Sequence, residues 1–363
     1  MILLAYIIIA FTLIQMLVSF LNMITAASLP KVKTSYSAFV SVLVPVRNEE
    51  KNIRNILNDL LDQDYKNIEI LIFDDQSDDR TVEIIKEYME KDTRIQLLHS
   101  DFLPVGWLGK NHACHSLSKK AKGDYLLFID ADVRLSGNPI GKAVAFSKKY
   151  NLSLISVFPK QIILTAGEKI TVPNMNYILV SLLPLIFVRK LRFPSMAAAN
   201  GQFMLFRANE YNSIEPHQLM RNNKVEDILI ARYYKKKRLR IACLLGNTEI
   251  VCRMYSNFKD ATEGFSKNVI EFFGNSFISA LIFWLVTTLG FIPVFLYLPL
   301  KFQILYIIFY VMTRVFVSVA SRQNIFYNLI FVIPLQVSLG IFIYKAFINK
   351  FFRKYQWKGR SIT

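Results

Sequence analysis

The sequence IEILIFDDQSDD at residues 68–79 decides the fold, together with YLLFIDAD at residues 125–132. In each stretch a short run of Ile, Leu and Phe ends in aspartates. Such runs, closed by turn residues, are typical of buried parallel strands. Because ligands of open α/β sheets bind at the carboxyl ends of the strands, both aspartate clusters are expected at one binding edge. Carboxylates there need hydrogen-bond donors or a cation. A nucleotide can supply the donors, and a divalent metal held against its diphosphate can supply the cation.

Strands and helices alternate around these two stretches. The predicted strands are 39–44, 68–73, 94–98 and 125–129. The predicted helices are 49–61, 79–91 and 108–120. Ser77 or Asp78 is the predicted cap of the second helix. This alternation predicts an α/β fold with a doubly wound, mostly parallel sheet.

The composition of the 363 residues indicates a membrane protein and excludes other classes. Hydrophobic residues make up 53%, mean hydropathy is +0.31 and the formal charge is +17. A positive excess of this kind follows from the positive-inside rule, and no nucleic-acid recognition motif is present. The three cysteines form no CxxC pair, which argues against a disulfide scaffold or a zinc site.

The apolar excess lies at the two ends of the chain. Residues 1–28 carry no charge and are long enough for a transmembrane anchor. Lys31 and Lys33 follow them, so we expect the amino terminus outside and a soluble domain at 38–262 in the cytoplasm. Within that domain, residues 169–193 are amphipathic and aromatic but interrupted by prolines, which predicts an interfacial segment.

Residues 274–348 are predicted to form a second membrane region with two or three helices. The spanning candidates are 274–298 and 327–344, whereas 304–319 is shorter and carries Arg314. The basic tail at 349–363 predicts a cytoplasmic end. A cytoplasmic carboxyl terminus requires an even number of membrane crossings after the soluble domain. We therefore expect two crossings, with a re-entrant or interfacial middle segment. Three crossings are the alternative. The protein is thus predicted to be a multi-pass protein of the cell (inner) membrane.

Several motifs in order resemble the inverting family 2 glycosyltransferases of the GT-A fold. The resemblance covers the soluble domain and rests on four stretches: 42–50 (VLVPVRNEE), 74–79 (DDQSDD), 130–132 (DAD) and 226–227 (ED). It implies a donor pocket for a nucleotide-sugar, with UDP as the expected nucleotide. The residues it assigns to donor binding are Pro45, Arg47, Glu49, Asp75, Lys110, Asp130, Gly201, Gln202 and Arg253.

Asp130 and Asp132 resemble the metal motif of the family. Their carboxylate oxygens are hard ligands, which suit Mg²⁺ or Mn²⁺. Phosphate oxygens complete the coordination shell of such an ion. A bare DxD pattern is usually a surface turn, so the preceding buried strand and the other motifs carry this prediction. Asp75 is the predicted contact for the base, although Asp74 stays open as the inward residue.

Glu226 and Asp227 resemble the catalytic acidic pair, with Asp227 as general base. The alternative is an ordinary acid at a helix start. The loop 106–113 (GWLGKNHA), in which Lys110 is the diphosphate candidate, resembles a lipid- and carotenoid-modifying branch of the family. Its alternative is a glycine turn before a helix.

The segment around Arg253 departs from the Q-x-x-R-W motif of processive members, since Ile250 and Tyr255 replace Gln and Trp. The overall layout is most similar to the bacterial carotenoid glycosyltransferases of the diaponeurosporenoate type, including WKGR at 357–360. The resemblance therefore implies a membrane-bound, metal-dependent transferase. Its partners would be a nucleotide-sugar and a lipid or pigment acceptor such as a carotenoid, polyprenyl phosphate or diglyceride. The alternatives are a processive polysaccharide synthase and a non-catalytic membrane scaffold. The sugar and the oligomeric state stay open.

Overall fold

The computed structural model describes the chain except residues 26–27, 30–36, 101, 353–355, 358–359 and 362–363. The strands are β1 (Val40–Val46), β2 (Ile68–Asp74), β3 (Ile95–His99), β4 (Tyr125–Ile129), β5 (Val133–Leu135), β6 (Leu154–Phe158), β7 (Lys160–Gln161), β8 (Phe203–Arg207), β9 (Ile241–Leu245), β10 (Ile250–Cys252), β11 (Gln356–Trp357) and β12 (Arg360–Ser361). The α-helices are α1 (Ile2–Thr25), α2 (Ile53–Leu61), α3 (Thr81–Met89), α4 (Gly109–Lys120), α5 (Pro139–Tyr150), α6 (Ala166–Lys169), α7 (Pro173–Leu182), α8 (Leu185–Lys190), α9 (Ala208–Ile214), α10 (Pro216–Leu219), α11 (Glu226–Lys236), α12 (Phe258–Asn268), α13 (Phe277–Leu289), α14 (Phe291–Tyr297), α15 (Leu300–Ala320), α16 (Ile325–Ile330) and α17 (Val332–Phe352).

Seven strands form the central sheet in the order β3-β2-β1-β4-β8-β6-β9. Within this sheet, as far as the structure describes the chain, only β8 runs antiparallel to its neighbours, which are β4 and β6. The strands are apolar on both faces because helices cover both: Val42 and Val44 pack into one core and Leu43 into the other. The predicted mostly parallel α/β sheet is confirmed.

The reversal of β8 places its first residues at the edge where β1, β2 and β4 end. Phe203 pairs with Ile129, and the Asp130 amide donates to the Gln202 carbonyl at 3.2 Å. Polar side chains from four strands therefore meet at this edge.

The turn before α3 differs from the prediction. The helix begins at Thr81, and its N-cap Arg80 has no side-chain capping bond. Asp79 accepts instead from the Thr81 amide at 3.0 Å, and Ser77 accepts from the Asn48 amide at 2.9 Å. Ser77 and Asp78 as caps were therefore wrong, because Ser77 is used to join the loop after β2 to the loop after β1.

Among the described residues, three helices are long and apolar enough to cross a membrane: α1, α15 and most of α17. A fourth span arises only if the pair 258–273 and 277–289, bent by 100°, counts as one. Lys31 and Lys33, on which the predicted orientation depends, lie outside the described residues, as do Arg353, Lys354 and Lys358 of the basic tail.

The spans after the soluble domain differ from the expected ones. Residues 274–298 are divided between α13 and α14, whereas the middle segment lies in the 21-residue helix α15. Pro293 explains the break, since proline lacks an amide hydrogen and clashes with the carbonyl of the preceding turn. Helix α15 then begins at Leu300, directly after Pro299. Arg314 of α15 is buried, with its guanidinium carbon 3.6 Å from the centroid of the Tyr177 ring.

Residues 169–193 contain α7 and α8, with Pro173 and Pro184 at the two helix starts. The amide of Asn22 in α1 donates to the carbonyls of Val180 and Leu183, both at 2.8 Å. Asn22 Oδ1 in turn accepts from the Leu185 amide at 2.7 Å. This segment therefore joins the soluble domain to the first apolar helix.

Candidate active site

A cavity of about 430 Å³ opens at the edge where β1, β2 and β4 end. Six carboxylates and four cationic side chains are among the residues that line it. The lining residues are Pro45, Val46, Arg47, Glu49, Asp75, Leu108, Gly109, Lys110, Asn111, Ala113, Asp130, Ala131, Asp132, Asn200, Gly201, Gln202, Lys224, Glu226, Asp227, Met254, Tyr255, Gly264, Lys267 and Asn268. Of the predicted site residues, only Arg253 is absent from this described lining.

The end of β2 separates the roles of Asp74 and Asp75. The Asp74 carboxylate accepts from the Ser77 amide at 3.2 and 3.3 Å, which holds the turn. Asp75 lines the cavity, and its carbonyl accepts from Arg47 Nη1 at 2.5 Å. Asp75 is therefore the inward residue, and Arg47 fixes the backbone that presents it.

Lys110, in the first turn of α4, bridges two acidic groups. Its ammonium lies 2.8 Å from Asp130 Oδ1 and 3.9 Å from Glu226 Oε1. Burial lowers the pKa of Lys110, but the charges of Asp130 and Glu226 outweigh it and raise the pKa above its usual value. Lys110 is thus a permanent cation that links the end of β4 to the start of α11.

Gly201 lets the chain before β8 pass close to these charges. A Cβ atom at this position would lie 3.2 Å from Lys110 Nζ and 3.6 Å from Glu226 Oε1. Its amide donates to Asp227 Oδ2 at 3.0 Å. Gln202 follows, donating from Nε2 to Cys252 Sγ at 2.9 Å. The glycine therefore keeps space open in the cavity and orients an acid.

Glu226 and Asp227 open α11, as predicted. Asp227 Oδ1 accepts from the Ile228 amide at 2.8 Å, while Oδ2 accepts from Gly201. Burial raises the pKa of Asp227, opposed by these amide donors. Burial also raises the pKa of Glu226, to about 7, although Lys110 lowers it. Both acids thus titrate above their ordinary range, and Asp227 is held in a fixed orientation.

Asp132 has the chemistry expected of a metal ligand. Its Oδ1 atom is buried and accepts no hydrogen bond from the described residues, and the same is true of Gln202 Oε1. Burial raises the pKa of Asp132 to about 7, with Asp130 and Glu49 adding to the effect. An unsatisfied buried carboxylate is costly, and a cation would remove that cost.

The donor set nevertheless needs oxygens from elsewhere. Within the described residues, no group of three or more His, Cys, Asp or Glu side chains is arranged to hold a metal ion. Mg²⁺ is commonly bound by one or two carboxylates plus substrate phosphates. Asp130 and Asp132 fit that kind of site, in which the diphosphate completes the shell.

The side of the cavity nearest the apolar helices contains residues that the motifs did not assign. Lys267 of α12 and Lys224 both line it, and burial lowers the pKa of each, to about 8 for Lys224. Lys224 stands two residues before the acidic pair, which is the one sequence signal that pointed to it. Gly264 and Asn268 of α12 also line the cavity.

Arg253 lies elsewhere. Its Nε donates to Glu168 Oε1 at 2.8 Å, beside the capping box of α6. Ile250, which stands where processive members have Gln, is buried in the small sheet β5-β10-β7. The side chain of Arg253 therefore stabilises a turn next to the site in this conformation.

Comparison with known sequences gives a family match and two similar relatives. Residues 41–211 match the family described as Glycosyl transferase family 2. The 4,4'-diaponeurosporenoate glycosyltransferase of Staphylococcus haemolyticus is 25% identical over 233 residues, which are 63% of this chain and 60% of that protein. The protein of the same name from Staphylococcus aureus strain USA300 is 24% identical over 349 residues, 89% of this chain and 88% of that one.

Among solved structures, the chain is similar to the mannosyltransferase PcManGT of Pyrobaculum calidifontis, solved in complex with GDP-Man and Mn²⁺. The TM-score is 0.54 at 14% identity, and the match covers 97% of this chain and 100% of that one. This likeness concerns the fold, and it confirms the GT-A type of sheet expected from the motifs.

Proposed function

We propose that this protein, whose residues 41–211 match glycosyl transferase family 2, is a membrane-bound glycosyltransferase that moves a sugar from a UDP-linked donor to a lipid-like acceptor with inversion. The observation that carries the proposal is the convergence of Asp75, Asp130, Asp132 and Asp227 on one cavity. Carboxylates from the ends of β2 and β4 and from the start of α11 meet there, and the ammonium of Lys110 pairs with Asp130 among them.

The donor occupies the side of the cavity formed by β1, β2 and β4. The Asp75 carboxylate accepts a hydrogen bond from the base, and Arg47 holds the Asp75 backbone in position by donating to its carbonyl. Asp130 and Asp132 hold Mg²⁺ or Mn²⁺, which, when bound, neutralises charge on the leaving diphosphate. Lys110 is placed to compensate the same charge, and Gly201 leaves room for the sugar.

The acceptor occupies the opposite side, where Asp227 lies. Its two backbone donors fix one orientation, and its raised pKa makes it a better proton acceptor than a surface aspartate. In-line attack needs a deprotonated acceptor on one face of the anomeric carbon and charge stabilisation on the other. Asp227, supported by Glu226, deprotonates the acceptor. Asp132 with its metal, together with Lys110, stabilises the charge on the diphosphate.

An aromatic series favours an acceptor that arrives from the membrane. Tyr255 lines the cavity, and its ring lies 4.9 Å from that of Phe265 in α12. Phe265 in turn lies 5.2 Å from Phe342 in α17, measured between ring centroids. Apolar surface thus continues from the cavity wall to a helix long enough to span a bilayer. The names of the two relatives also favour an apolar acceptor.

We place the catalytic domain on the cytoplasmic face of the cell membrane. If α1, α15 and α17 each cross once, an outside amino terminus gives a cytoplasmic domain and a cytoplasmic basic tail. The even number of crossings after the domain that the tail requires is then met by α15 and α17.

The test uses membranes that contain the full-length protein, a panel of UDP-hexoses and Mn²⁺. We expect UDP release coupled to label in the lipid extract, abolished in Asp132→Asn and kept in Asp64→Asn, an exposed control with the same charge change. Equal release by wild type and Asp132→Asn, or none with any donor, would contradict the proposal and favour a scaffold.

Asp227→Asn separates the acceptor classes. A hydroxyl acceptor needs a base, so the variant should lose about 10²-fold or more in rate. A carboxylate or phosphate acceptor needs no strong base, so much of the activity should remain. Chemical lability of the labelled product to mild alkali then distinguishes an ester from an ether-type glycoside independently of the variant.

A further inference from the structure

A second cavity, of about 220 Å³, lies between α8 and the start of β9 and shares no lining residue with the active-site cavity. It is at the sheet edge formed by β9, the opposite edge from β3. The lining residues are Tyr150, Leu152, Arg189, Lys190, Leu191, Arg192, Leu239, Arg240 and Ile241.

All four charged side chains in this lining are cations: Arg189, Lys190, Arg192 and Arg240. None of them forms an ion pair with a described carboxylate. Other arginines of this protein do form ion pairs with carboxylates; Arg134 Nε, for example, lies 2.6 Å from Asp59 Oδ2. Four cations around one concavity repel one another, and an anion would remove that repulsion.

The walls of the cavity are ordered rather than a loose run of surface charge. The Arg189 guanidinium carbon lies 3.8 Å from the centroid of the Tyr150 ring, which holds its planar fork in one place. Behind the cavity, the buried Lys235 donates to the Leu191 carbonyl at 2.7 Å. The end of α8 and the residues just after it, which carry three of the four cations, are therefore held in place by this hydrogen bond.

The position of α8 places this cavity beside the membrane. Leu185, the first residue of α8, donates its amide to Asn22 in the last turn of α1. Arg189 is one helical turn further on, about 6 Å at 1.5 Å per residue. Because each headgroup layer of a bilayer is about 5–8 Å thick, a displacement of this size in any direction keeps Arg189 within about one headgroup layer of the end of α1.

We propose that this cavity binds the phosphate of an anionic phospholipid, with Arg189 and Arg240 as the principal contacts. Arginine forks match phosphate oxygens in a bidentate arrangement, and Leu152, Leu239 and Ile241 give the glycerol an apolar surface. The site is independent of the donor cavity and ties the end of α1 that contacts α8 to anionic lipid. It goes beyond the transferase proposal and does not rest on it.

The experiment measures lipid retention by the full-length protein released from nanodiscs of phosphatidylcholine with phosphatidylglycerol, using native mass spectrometry. Each basic residue near an anionic surface contributes about a factor of five, so Arg189→Gln/Arg240→Gln should retain phosphatidylglycerol roughly 25-fold less well. Lys190→Gln/Arg192→Gln, a pair on the exposed rim, should weaken retention in the same direction and guards against misfolding of the first pair. Lys86→Gln/Lys91→Gln, exposed around the end of α3 beside β3, removes the same charge and should retain the lipid as wild type does.

Two results would overturn the proposal. Equal retention in wild type and in both cavity variants, or an equal loss in the Lys86/Lys91 control, would show that the cavity is not the site. Protein in phosphatidylcholine alone should bind inorganic phosphate only weakly. Tight phosphate binding there that the cavity variants abolish, with phosphatidylglycerol retention unchanged, would assign the site to a free anion instead of a lipid.

Discussion

Replacing Lys110 by methionine should move the pH dependence of the transferase. The ammonium lies 2.8 Å from Asp130 and 3.9 Å from Glu226. At an effective dielectric constant of about 20, Coulomb's law gives upper limits of roughly 6 and 4 kcal/mol for these two pairs. Because the Lys110 and Asp130 side chains are 28% and 27% exposed, solvent reduces both, and about 1.5–3 kcal/mol for the shorter contact is realistic.

The effect on Glu226 sets the expected shift. An opposite charge within about 4–6 Å lowers a carboxyl pKa by about 1–3 units, so loss of Lys110 raises the pKa of Glu226 from about 7 by at least about one unit. At pH 7 the ionised fraction would fall from about a half to a tenth, a fivefold loss. The proposed mechanism requires the ionised acidic pair, so it predicts that the loss is recovered as the pH rises.

The assay is UDP release as a function of pH in wild type, Lys110→Met and Lys110→Arg. We expect the acid limb of kcat/KM to move to higher pH by about one unit or more in Lys110→Met and to stay near the wild-type position in Lys110→Arg. A loss that is uniform at every pH, with an unmoved acid limb, would refute the coupling and leave Lys110 as a contact for the diphosphate alone.

Gly201→Ala places a methyl group 3.2 Å from Lys110 Nζ, so the KM for the donor should rise several-fold while the free energy of unfolding changes by less than about 1 kcal/mol; an unchanged KM would contradict the role of this glycine. Gly123→Ala, whose Cβ would lie 2.5 Å from the Ser41 amide nitrogen, should instead destabilise the fold by about 1–3 kcal/mol, seen as a lower midpoint of thermal unfolding. For the metal-free protein, the raised pKa of Asp132 means that the folded state binds more protons than the unfolded state between about pH 4 and 7. Stability should therefore fall as pH rises through that window, by up to about 1.4 kcal/mol per unit for this group, and Asp132→Asn in EDTA should flatten the slope; an unchanged slope would count against the buried carboxylate.

The strand ends of the site could be predicted because they depend on local patterns. Apolar runs that end in aspartates fixed β2 and β4 closely, and the edge of a parallel sheet then brings Asp75 and Asp130 together. The choice between Asp74 and Asp75 needed the structure. Both follow the same strand, and only the hydrogen bond from the Ser77 amide shows that Asp74 serves the turn.

Long-range contacts and membrane spans were harder to predict. Arg253 was predicted to bind the donor because of its position in a motif. Its partner Glu168 is distant in sequence, and no motif signals that ion pair. In the apolar region, uniform hydrophobicity does not mark helix ends, so 274–298 looked like a span although Pro293 breaks it and Pro299 precedes α15. Lys267 enters the cavity only because α12 packs beside it.

The most direct test of the central claim is UDP binding to the purified full-length protein, titrated calorimetrically with and without Mn²⁺. If the carboxylates of the cavity form one donor site, Mn²⁺ should strengthen UDP binding in wild type, Asp132→Asn should abolish that enhancement, and Asp75→Asn should weaken binding in both conditions. Asp64→Asn should behave as wild type. UDP binding that is the same in all four proteins and indifferent to Mn²⁺ would contradict a donor site at this edge of the sheet.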